Sequence, residues 1–244
     1  MDFKNWIIYF STKDEQKCIP ALFAFVLQQF IEIFGAKSMK CEECIVYNDP
    51  NAPYPMLITN RSPINIRTCS TLSSTSWGWA QYIYQISHEL THYIIRQYKE
   101  DKELHVRWFE ETLCEAMSLY ILRVSSQRWN KCNLSAIKPH YDEVFIEYFN
   151  NVYSKTSPSA LQECHSFEEL KNIENICEEQ RTSRSTERNF LADTFCEHPE
   201  NISAFVWYTR YMRGDLLIDF KKWKEDDPNP LISKLESIQP NLES

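Results

Sequence analysis

The rhythm of apolar and polar positions changes once along the chain. In the first third it is mixed. Trp6 to Ser11 and Glu43 to Asn48 alternate with a period of two and predict strands, while Lys17 to Phe34 has helical spacing and stops at Gly35. Met56 to Thr59 and Pro63 to Thr68 are short, proline-flanked segments that suit an edge hairpin about Asn60-Arg61. After Ser74-Thr75-Ser76, which offers a choice of N-caps, the period is helical. Helices are expected at Trp79 to Lys99, Glu103 to Ser125, His140 to Tyr153, Phe167 to Gln180 with Ser166 and Glu169 as a capping box, Thr186 to Phe195, and Asn201 to Trp223. The pattern predicts an α+β fold: a small mixed sheet with an edge strand, then a mainly α-helical second half. Residues 1–130 form the expected α/β core, and 131–244 a helical subdomain completing a cleft.

One of these helices carries chemistry. His88 and His92 in His88-Glu89-Leu90-Thr91-His92 are one turn apart and differ by about 40° on a helical wheel, so both imidazoles can reach one ion. Trp79, Ile83, Ile86, Leu90 and Ile94 form an apolar stripe on the opposite side. Glu89 lies beside the histidines, near enough to hold a water on a metal without serving as a ligand. Chance alone gives such a pattern in about one chain of this length in a hundred, so a third donor is required before the motif means a hydrolytic zinc site.

Composition narrows the alternatives. A net charge of -8 and the absence of a basic, aromatic-interleaved tract argue against nucleic acid and anionic lipid as partners. Only Gly35, Gly78 and Gly214 are glycines, which rules out a phosphate-cradling loop. Nine scattered cysteines read as reduced, buried thiols, and Cys41-Glu42-Glu43-Cys44 has no second pair to complete a structural zinc site. The most apolar run, Ile19 to Leu27, is half a bilayer span, and the N-terminal segment has no signal-like core. A cytoplasmic protein acting on peptides or proteins is expected.

The third ligand is sought on the next helix. The positions three and six residues after His92 are Ile95 and Tyr98, not the Gly and His of a metzincin, whereas Trp108-Phe109-Glu110-Glu111-Thr112-Leu113-Cys114-Glu115-Ala116 offers three glutamates. Eighteen residues separate His92 from Glu111, giving HExxH-x18-E. Trp77 to Leu122 thus resembles the gluzincin metallopeptidases, thermolysin-like and aminopeptidase-like, and Trp108-Phe109-Glu110-Glu111 is similar to the aminopeptidases' Trp-Leu-Asn-Glu. The resemblance implies a zincin-like fold whose sheet packs on the HExxH helix. It assigns Zn2+ to His88, His92 and Glu111, with Glu115 buttressing a histidine where the family usually has aspartate. A competing alignment makes Glu115 the ligand, because Glu115-Ala116-Met117-Ser118 resembles thermolysin's Glu-Ala-Ile-Ser.

The expected activity is zinc-dependent peptide hydrolysis with Glu89 as general base. An extended peptide would add to an edge strand within Pro63 to Thr68, with Ile64-Asn65-Ile66 the candidate. The segment with which related aminopeptidases grip a free N-terminus is absent, so endopeptidase activity is favoured. Tyr208 is a candidate to stabilise the oxyanion among several aromatic residues that also suit a core, and His105 reads as a satisfied or surface histidine. The alternative is a catalytically idle zincin-fold protein that binds zinc and serves as a regulatory or interaction module.

Overall fold

The computed structural model describes residues 5–40, 42–72, 77–101 and 104–242. The candidate caps Ser74-Thr75-Ser76, Cys41 of the Cys41/Cys44 pair, the first four residues and the expected helix start at Glu103 lie outside the described residues. The described chain is mixed α+β and mostly helical, with one small four-stranded mixed sheet.

The strands are β1 (Trp6–Ile8), β2 (Cys44–Asn48), β3 (Met56–Ile58) and β4 (Ile64–Thr68), in the order β1-β2-β4-β3. β1 pairs with β2 and β2 with β4 in parallel, and β3 closes back on β4 antiparallel. The expected hairpin forms, but the expected edge is wrong. Ile64, Asn65 and Ile66 pair with β2 on one side and β3 on the other, so Met56–Ile58 is the terminal strand. Burial agrees: Ile64, Asn65 and Ile66 are buried, and all of β3 is half-buried. Near-continuous burial marks a strand enclosed within a parallel layer.

Helices α1 (Lys13–Phe34), α2 (Gly78–Tyr98), α3 (Arg107–Gln127), α4 (Tyr141–Tyr153), α5 (Phe167–Ile176), α6 (Ser185–Glu197), α7 (Phe220–Asp226) and α8 (Pro230–Glu236) follow in chain order. α1 begins four residues earlier than its apolar pattern, because Thr12 and Glu15 close a capping box there; Gly35, at φ 83, ends it where a side chain would be strained. α5 carries the expected Ser166/Glu169 box. Asn201 to Trp223 is not one helix. A 3-10 helix spans Pro199–Arg210, Met212 bridges to Ile218, and only then does α7 begin. Pro199 starts the tighter segment, whose aromatic residues pack without needing an α-helical period.

The chain divides into two compact units, Met1–Ile94 with Ser118–Val152, and Ile95–Met117 with Tyr153–Ser244. The first contains the sheet. Trp6 packs on Phe23 and Tyr93, with ring centroids 5.3 and 4.9 Å apart, and a second cluster joins Trp79, Trp129, Tyr141 and Phe145. α1 is long and apolar enough to cross a bilayer by length and composition, and more than half of its most apolar window is buried in the protein, including Ile19, Leu22, Val26 and Leu27. The second unit packs Phe109 against Tyr208 and Phe220, and Phe195 on Phe205.

Candidate metal centre

α2 is fixed to the sheet by its polar residues as well as its apolar ones. Gln85 Oε1 accepts from the Cys69 amide at 2.9 Å and from Ser70 Oγ at 3.0 Å, just beyond β4. One turn from the helix end, the Tyr93 hydroxyl donates to the Glu42 carbonyl at 2.9 Å, ahead of β2. Trp79, Ile83, Ile86, Leu90 and Ile94 are all buried, as the apolar stripe requires. Ser87 and Thr91 return their hydroxyls to the carbonyls of Ile83 and Ser87, both at 2.7 Å, which lets polar residues sit in a buried helix.

These contacts set the histidines. His88 and Glu89 are buried, at 2% and 3% exposure, and His92 is half-buried. The two Nε2 atoms are 3.2 Å apart, with ring centroids at 4.9 Å and planes crossed at 70°. Two imidazoles bound to one tetrahedral zinc at about 2.05 Å each would have nitrogens about 3.3 Å apart. The pair therefore already has the spacing of two ligands of one ion.

α3 is set by the second unit. Its first amides, of Arg107 and Trp108, both donate to the Glu174 carboxylate at 2.9 Å, and the Trp108 indole donates to the Leu216 carbonyl at 2.9 Å. Arg184, fully buried, donates through Nε to Thr112 at 3.1 Å and through a terminal nitrogen to the Cys177 carbonyl at 2.9 Å. Glu111 and Glu115 are buried on this helix. Burial pushes the Glu115 carboxyl up to about 7 against the pull of Arg184, Arg181 and Arg188. Arg181 is its ion-pair partner at 3.7 Å, and neither Glu115 oxygen has a hydrogen-bond partner among the described residues.

A further candidate donor lies beside the histidines, one the sequence reading passed over. Ligand atoms of His88, His92 and Cys114 all lie within 4.8 Å of one another, a group that can hold a metal ion. Neither Glu111 nor Glu115 belongs to it. Comparison with known protein families, with characterised proteins and with solved structures found no match. The donor chemistry must therefore speak for the site. Two imidazoles and a thiol fit zinc and other thiophilic ions. The sequence presents Cys114 only as one of the scattered cysteines that suit reduced, buried thiols. The available signal was its place one turn past Glu111 on the same helix.

Two further residues have defined partners. The Tyr208 hydroxyl, in a fully buried side chain, donates to Glu110 Oε2 at 2.7 Å, and burial together with that carboxylate raises its pKa well above the usual value. His105 Nδ1 lies 2.8 Å from Lys99 Nζ, and desolvation with the Lys99 charge lowers its pKa. His105 is a satisfied histidine.

Proposed function

We propose that the chain is a zinc-dependent peptidase, a zincin-like enzyme related in its site to the gluzincins, which hydrolyses internal peptide bonds. The 3.2 Å separation of the His88 and His92 Nε2 atoms carries this reading, because it matches a shared tetrahedral ion. His88 and His92 would hold the ion, with Cys114 as third donor by its convergence on them and Glu111 as the donor that the resemblance implies. Bound there, zinc supplies a Lewis acid that polarises a carbonyl and makes water acidic enough to lose a proton near neutral pH.

Glu89 takes that proton and returns it to the leaving amine. Its burial on the same helix as the histidines supports the role. Glu115, which the resemblance makes a buttress, is ion-paired with Arg181. An extended peptide would pair with the outer side of β3, Met56–Ile58, where the sheet ends.

The test is Glu89→Gln. It keeps shape and zinc content and should lower hydrolysis of a diverse peptide library by at least about 10²-fold, the contribution of a general base. Cleavage as fast as wild type would remove Glu89 from the mechanism. Convergence of Cys114 also favours a second reading, a zinc-holding protein without turnover, because a thiolate ligand donates more charge to the ion and weakens it as a Lewis acid. Full zinc occupancy in a wild type that cleaves nothing in that library would select this second reading.

A further inference from the structure

We infer that Glu174, from α5, is a positioning residue for the metal centre, one that sets where α3 begins and so where its ligand-bearing turn stands. The inference rests on the metal reading above. The four leading amides of a helix lack partners within it and are ordinarily capped by a Ser, Thr, Asp or Asn just before the first turn. Here the three residues before α3 are Leu104, His105 and Val106, none of which can cap. One carboxylate from elsewhere in the fold does so instead. Glu174 Oε1 and Oε2 each accept one amide, from Arg107 and Trp108, both at 2.9 Å. Its negative charge also faces the positive end of the helix dipole.

A two-oxygen grip fixes both the rotation and the axial position of that first turn. Glu111 follows Arg107 by four residues and Cys114 by seven, so an error in the first turn passes straight to the donors through a rigid helix. Metal sites tolerate only about 0.5 Å of such error. Glu174 is itself held. α5 starts at a complete capping box, Leu170 and Ile173 anchor it in the core, and Arg184 ties the Cys177 carbonyl at its end to Thr112 of α3. Glu174 is 8% exposed, so solvent cannot replace it.

The experiment is a zinc competition titration of the full chain against a chromophoric chelator. Glu174→Ala should loosen zinc by about tenfold or more, as the loss of a supporting partner does. Glu174→Gln keeps the shape and an acceptor but not the charge, and should fall between Glu174→Ala and wild type. The control is Leu235→Ala, a cavity variant in α8 of the same unit, which lowers stability yet should leave zinc affinity at the wild-type value. If Glu174→Ala does not fold, the Gln variant still decides. Either Glu174 variant binding zinc as tightly as wild type overturns the inference alone, and so does an equal loosening by Leu235→Ala. A wild type that binds no zinc overturns the metal reading and this inference together.

Discussion

At the scale of single residues, the site depends on which side chains converge rather than on which are acidic. His88, Glu89 and His92 were legible in the sequence because a motif of five residues lies within one uninterrupted helix, where spacing fixes direction. Cys114 was not, since a buried cysteine among Leu113, Ala116 and Met117 has the composition of ordinary core. Tyr208 stood among many aromatic candidates, and only the structure shows its hydroxyl committed to Glu110. Cys114 and Glu111 make different predictions as third donor. With Cys114 as donor, the cobalt-substituted protein should show a near-ultraviolet thiolate-to-cobalt band that disappears in Cys114→Ser, and zinc binding should weaken at least about tenfold in that variant. A spectrum unaffected by Cys114→Ser, together with loss of tight binding in Glu111→Ala, would return the ligand role to the glutamate.

Elements were legible where local signals agree. α2, α4 and α6 follow from periodicity, and α5 from its capping box, because each signal lies within a few residues of the structure it sets. The strand order was not legible. Whether Ile64–Thr68 is an edge or an inner strand depends on its pairing with Cys44–Asn48, sixteen residues or more away, and no local pattern encodes that. The segment from Pro199 to Phe220 failed for another reason: apolar spacing survives in a 3-10 helix, while its backbone hydrogen bonds differ. The start of α1 gives a direct check. Thr12 Oγ1 accepts the Glu15 amide at 3.1 Å, and Glu15 returns its carboxylate to the backbone of Ser11 and Thr12. Thr12→Ala should cost about 1 kcal/mol in chemical unfolding, the usual loss of an N-cap, without changing zinc content. No measurable loss would mean that α1 is held by its buried face alone.

At the scale of the whole molecule, the proposed hydrolytic centre would need ligands, a base and a strand to receive a substrate, and the helices that carry the candidate residues each have their own support. α2 is tied to the sheet through Gln85 and Tyr93, and α3 to α5 through Glu174 and to the residue just before α6 through Arg184. The helical half is thus more than a cover, since it determines how α3 is held. Metal binding is the central requirement. Elemental analysis of the purified full chain should find about one zinc per chain, and none above background in the His88→Ala, His92→Ala double variant. Zinc retained at full stoichiometry in that variant, or a wild type that takes up none when zinc is supplied, would contradict it.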